Sequence, residues 1–119
     1  MALAPCPDKP NCVCSTAPAD DPHAVAPLPL PLGVDALALV RRVVSTLPRT
    51  TEVGADATSV HFTCTTAVLR FVDDLQFEVD EDAGVVHVRS ASRLGYSDLG
   101  VNRERVEQLR QAWLAALPS

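Results

Sequence analysis

The run from Arg89 to Arg103, RSASRLGYSDLGVNR, holds the densest collection of polar chemistry in the chain. Arg89, Arg93 and Arg103 offer planar guanidinium donors, and Ser90, Ser92 and Ser97 offer hydroxyls. A helix opening at Asn102 would add unpaired backbone N–H groups. Gly95 and Gly100 let backbone come close to a ligand. Such a set suits the carboxylate or phosphate of a small acidic molecule. The same residues have a competing use. Asp73, Asp74 and Asp98 can pair with the guanidiniums, and the hydroxyls of Ser90 and Ser92 can cap loop amides. Buried polar groups are normally satisfied from within the chain, so the expected arrangement is an internal ion-pair network that braces this corner.

A second cluster lies near the start, where Cys6, Cys12 and Cys14 follow a C-x5-C-x-C spacing. That spacing matches neither paired zinc knuckles nor a ferredoxin run. Cys6 and Cys12 stand far enough apart to close a small disulfide loop in an oxidising compartment. A metal held by these three cysteines with His23 is the alternative, as is a reactive thiol at Cys12 or Cys14. Cys64 reads as a small buried apolar residue in a strand.

Catalytic constellations are weaker. Asp73 and Asp74 are neighbours on a strand, so their side chains point to opposite faces and cannot act as a pair. His61 and His87 fall on strand faces opposite Phe62 and Val88, the usual place of solvated residues. The chain has no phosphate-cradling glycine loop and no metalloprotease helix motif. No catalytic residue and no cofactor are therefore expected.

The elements that position these groups follow from periodicity. Pro5, Pro7, Pro10, Pro18, Pro22, Pro27, Pro29 and Pro31 exclude helix interior and sheet centre, so residues 1–32 read as an extended arm. Val25, Leu28, Leu30 and Leu32 give that arm apolar anchors on a single domain spanning 33–119. The span from Gly33 to Leu47 reads as a helix, with Leu37, Val40, Val44 and Leu47 on one face, Asp35 at its start and Pro48 beyond its end. From Arg49 to Arg93 the period becomes two and gives four strands, with Glu81-Asp82-Ala83-Gly84 as a hairpin turn. A second helix from Asn102 to Leu117 has Asn102 as N-cap. Val106, Leu109, Trp113 and Leu117 are its buried stripe, and Arg103, Glu104, Arg105, Glu107 and Arg110 face water. The expected class is α+β: a four-stranded antiparallel sheet with two helices on one face and a proline-rich N-terminal arm.

With 119 residues there is room for one core. Apolar residues form 47% of the chain but aromatics only 4%, so Val, Leu and Ala must build that core. The net charge of −5 favours solubility and disfavours nucleic acid or an anionic membrane as a non-specific partner. No apolar run reaches membrane-spanning length, and no membrane insertion is expected. Met1 to Cys6 lacks the basic start and apolar stretch of a secretory signal. A cytoplasmic location is expected for the chain as it stands, and an exported one if a leader has been trimmed.

Several separated blocks carry a family resemblance. They are Cys6-Pro7-Asp8-Lys9-Pro10-Asn11-Cys12-Val13, Phe71-Val72-Asp73-Asp74-Leu75-Gln76-Phe77, Val88-Arg89-Ser90-Ala91-Ser92-Arg93, Gly95-Tyr96-Ser97-Asp98-Leu99-Gly100 and Asn102-Arg103. In this order they resemble the domain-of-unknown-function family DUF1499, over nearly the whole chain. The resemblance implies a small domain, often exported or membrane-associated, and no defined activity. Cys14 stands where the family more usually has serine. Two functions of different class follow from the residues. One is a non-catalytic binding or assembly module for a protein or a small acidic ligand; the other is a thiol-redox or metal role for Cys6, Cys12 and Cys14.

Overall fold

Alternating apolar residues along 59–92 form the centre of one antiparallel sheet in the computed structural model, which describes residues 3–118. In chain order the elements are β1 (Cys12–Cys14), β2 (Leu28–Pro29), α1 (Ala36–Val44), β3 (Thr50–Ala55), β4 (Ser59–Thr65), β5 (Val72–Asp80), β6 (Val85–Ser92) and α2 (Val101–Ala116). The sheet runs β1-β6-β5-β4-β3, and β2 pairs with β6 beyond β1. Phe62 faces Leu75 and Phe77 faces Val88 across the strands. The Phe62 and Phe77 rings meet edge to face at 6.0 Å. Gly84 takes the positive φ of the β5–β6 turn, at +68°.

The sheet has six strands rather than the four that periodicity counts. Both additional strands come from the segment expected to be an arm: Cys12–Cys14 pairs with Ala91–Arg89, and Leu28–Pro29 with Val86–Val85. Proline is barred from the centre of a sheet but not from its edge, where a missing N–H can face outward. Strands of three and two residues are too short to show a period. They nonetheless supply partners for the outer edge of β6.

Both helices pack into one core with Val60, Phe62, Leu75, Phe77, Val86 and Val88. α1 is shorter than Gly33–Leu47, and its buried residues are Ala36, Leu39, Val40, Val43 and Val44. Leu37 and Leu47 are only partly buried at its margin. Asp35 caps it by accepting from Ala38 N at 3.2 Å. In α2 the position before the helix is Gly100, with φ +83°, and not Asn102. Asp98 instead accepts from Gly100 N at 2.8 Å and Asn102 N at 3.0 Å. A carboxylate just upstream thus takes over the capping, and Asn102 turns inward.

One edge of α2 holds the N-terminal segment. Arg103 donates to the carbonyls of Pro22 (2.7 Å) and Ala24 (3.0 Å). Arg110 donates to Pro27 (3.0 Å) and to Ala26, and Trp113 Nε1 to Pro29 (2.7 Å). From Arg103 to Arg110 a helix rises about 10 Å, close to the span of an extended chain from Ala24 to Pro27. A proline-rich segment loses the donor at each proline but keeps every carbonyl, and α2 meets several of those carbonyls in step. Arg103 is therefore engaged while still exposed, and Arg110 is engaged and half-buried. Arg110→Ala should lower stability in urea unfolding by about 2 kcal/mol, because two carbonyls lose a charged donor. A loss under about 0.5 kcal/mol would mean that the segment is held by apolar contacts alone.

Candidate functional site

The start of α2 meets the core face of the sheet through polar side chains. Asp73 shares the strand face of Leu75 and Phe77, and Ser90 that of Val86 and Val88. Both are buried, with Asn102 wholly so. Arg105 donates to Asp73 Oδ2 at 2.8 Å and to Asn102 Oδ1 at 2.8 Å, while Ser90 Oγ donates to the same Asn102 oxygen at 2.7 Å. Asn102 Nδ2 reaches Asp98 Oδ2 (2.7 Å), Ser92 Oγ (3.0 Å) and the Asn11 carbonyl (3.1 Å). The Asp73 and Arg105 side chains are only 2% and 11% exposed, so this ion pair is desolvated. Arg105 was legible in principle: with Asn102, Val106 and Leu109 it falls at helical spacing on the buried stripe.

The opposite face of the sheet carries a separate set. Arg93 forks onto both oxygens of Asp74 at 2.9 Å each, and His61 Nε2 lies 2.7 Å from Asp74 Oδ1. The Arg93 guanidinium holds the Asp74 carboxyl below the usual range against the opposing effect of burial, and His61 adds to the lowering. Arg89 reaches the Pro5 carbonyl at 3.4 Å and Gln76 at 3.5 Å. Ser15, His87 and Asp80 fall in a serine–histidine–aspartate order. However, His87 Nε2 lies 3.9 Å from Asp80, too far for a hydrogen bond, and Ser15 Oγ already accepts from Val88 N.

The stretch from Arg89 to Arg103 is thus divided among three places. Ser90, Ser92 and Asn102 lie beneath α2, and Arg89 and Arg93 lie on the outer face. Ser97 and Arg103 border a cleft of about 420 Å³ with Lys9, His23 and Tyr96. In that cleft His23 Nε2 donates to the Lys9 carbonyl (2.9 Å), and its Nδ1 lies 2.9 Å from the accepting Oδ1 of Asp21. The Lys9 carbonyl is the main cause of the upward shift of His23, with Asp21 adding to it. Asp98 lies between cleft and helix. Burial pushes its carboxyl up, but hydrogen bonds from Asn102 and Gly100 outweigh burial and hold it low.

Cys6 and Cys12 form a disulfide, which removes both as thiolate ligands. Cys14 is a buried thiol 3.0 Å from Thr16 Oγ1, and burial pushes the buried Cys64 thiol up. Among the described residues no group of three His, Cys, Asp or Glu could hold a metal ion, and no helix is long and apolar enough to cross a membrane.

The least expected feature is apolar. Of ten exposed large apolar residues among those described, Leu32, Val53 and Leu114 are scattered. The other seven gather at two places: Val68, Leu69 and Phe71 on the loop before β5, and Leu94, Tyr96 and Leu99 between β6 and α2, with Val101 as the first residue of α2. The pairings Thr65 with Val72 and Asp73 with Ser92 put both loops at one end of the sheet. Between them lies a cavity of about 370 Å³ with mainly apolar walls. The non-glycine residues with positive φ, Arg49 (+54°), Arg70 (+59°) and Leu99 (+56°), all occur in loops at this same end. Leu99 and Gly100 are both left-handed in the turn closed by Val101 N to the Asp98 carbonyl at 3.2 Å. Asparagine or glycine normally occupies such a position, yet here it is a leucine 93% exposed. Sequence pattern alone does not separate an apolar loop residue that is buried from one that is displayed.

The family model described as "Protein of unknown function (DUF1499)" matches residues 2–113. No curated protein and no solved structure matches the chain.

Arg105→Ala leaves Asp73 buried and unpaired, and the expected loss in stability is about 3–5 kcal/mol. The double change Asp73→Leu/Arg105→Leu should recover most of it; a loss under about 1 kcal/mol for the single variant would contradict the pair's role. Stability should also fall with acid. The folded chain holds Asp74 and Asp98 low, so their contributions are fully present above the unfolded carboxylate value near pH 4 and disappear as pH falls through the folded values. Arg93→Gln should flatten that decline, as read from thermal midpoints between about pH 5 and about pH 2. An unchanged slope would show that Asp74 does not contribute.

Proposed function

The chain belongs to the DUF1499 family, and we propose that it works as a non-catalytic docking module whose working surface is the apolar end formed by the β4–β5 and β6–α2 loops. The observation that carries this reading is Leu99. A β-turn position that disfavours leucine holds one fully out in water, beside five further exposed apolar side chains that border the same cavity. Exposed apolar residues scattered singly need no explanation, but a contiguous group on short loops marks a contact surface. Left-handed backbone at a non-glycine residue costs about 1 kcal/mol or more, and it tends to persist where the displayed side chain matters. The rest of the domain acts as the mount. The Asp73–Arg105 pair and the Asp98 cap fix where the β6–α2 loop leaves the sheet, so the apolar side chains are ordered before a partner arrives.

The titratable groups support the same reading. Arg93 and His61 share Asp74, Asp98 is bound by amides at the start of α2, and two cysteines are joined to each other. The acidic small molecule suggested by the Arg89–Arg103 stretch has less support, because those residues do not converge.

The double variant Leu69→Ser/Leu99→Ser tests the reading. It should keep the urea-unfolding midpoint of the parent while losing most of the parent's fluorescence with 1-anilinonaphthalene-8-sulfonate. Unchanged dye fluorescence, or a loss of stability above about 2 kcal/mol as expected for core leucines, would contradict it.

A further inference from the structure

Resting on the docking reading, we infer that the occupant of the apolar end is a second copy of this chain, joined head to head about a two-fold axis. The first ground is area. Val68, Leu69, Phe71, Leu94, Leu99 and Val101 border one cavity and are between 39% and 93% exposed, a contiguous apolar area rather than single scattered residues. A standard interface buries about 800 Å² per partner around a central anchored cluster, and this end supplies such a centre.

The second ground is the distribution of charge. Two copies with a net charge of −5 repel each other wherever carboxylates face carboxylates. Asp80, Glu81 and Asp82 crowd the β5–β6 turn, and Asp56 lies in the β3–β4 turn, both at the end of the sheet away from the apolar loops. The apolar end carries exposed Arg49 and Arg70 on its loops, Arg93 forked onto Asp74, and exposed Glu104 on the first turn of α2. It therefore offers both signs around an apolar centre, as an isologous contact requires, where a patch must complement itself. Head-to-head approach also keeps the acidic turns of the two copies farthest apart. A partner of strongly positive surface would gain nothing from such a rim.

Sedimentation velocity of the full chain across a wide concentration range tests this. The parent should move to twice the monomer mass as concentration rises. Leu69→Asp/Leu99→Asp should weaken association at least tenfold while keeping the parent's circular dichroism. Leu94→Asp serves the same purpose if that pair of changes disturbs folding. Glu81→Lys/Asp82→Lys, at the far end, should leave association unchanged. A parent that stays monomeric at every concentration overturns the inference, and so does a dimer that survives the apolar-end changes. Two monomeric outcomes are distinguishable. If the dye signal is still lost in Leu69→Ser/Leu99→Ser, or if vesicles of phosphatidylglycerol capture the parent, the end docks something other than a second copy. If the dye signal is also unaffected, the docking reading falls with it.

Discussion

A single desolvated ion pair sets the geometry of this domain: Asp73 on the core face of β5 against Arg105 on α2. A carboxylate on that face cannot stay charged among Val, Leu and Phe without a partner, because burying an isolated charge is far more costly than burying a pair. The partner must come from the element packed above, which is α2. That requirement fixes both the rotation and the axial position of the helix. Asn102, one turn earlier, completes the arrangement by accepting from Arg105 and Ser90 and donating toward Asp98. Apolar packing of Val106, Leu109 and Trp113 would tolerate small slides of the helix. The polar contacts do not, since hydrogen bonds fail beyond a few tenths of an ångström.

Two consequences follow from a helix held in register. Along one edge, its arginines and Trp113 meet carbonyls of the proline-rich segment, which adds side-chain donors to the few backbone bonds that the segment makes itself. At its start, the chain must descend from the end of β6 to Val101 through a short loop capped by Asp98. The tight turn at Leu99 is the form that this descent takes. Its leucine, with the residues of the β4–β5 loop alongside, then stands outward at a fixed place. The buried polar network and the exposed apolar end are two sides of one corner.

Much of this was legible in the residues. Period-two alternation located the four long strands, and the same alternation put Asp73 and Asp74 on opposite faces. Asp35, Gly84 and the stripe of Val106, Leu109 and Trp113 gave the helix start, the hairpin and the buried face. What escaped did so for physical reasons. β1 and β2 are too short for periodicity, and prolines disguise an edge strand as coil. Asn102 has the chemistry of an N-cap, but a carboxylate four residues earlier satisfied the amides first. Arg105 looks solvated on charge alone and becomes a core residue only because Asp73 waits across the interface. The display of Leu99 depends on the path between two elements, which composition does not encode.

Amide hydrogen exchange, followed residue by residue, tests the central claim most directly. If the Asp73–Arg105 pair clamps the start of α2, the amides of Arg105 and Val106 should exchange only through global unfolding, as slowly as those of Phe77 and Val88 in the sheet centre. Exchange of those two helix amides through local fraying, much faster than the sheet, would show that the start of α2 is not fixed by the pair.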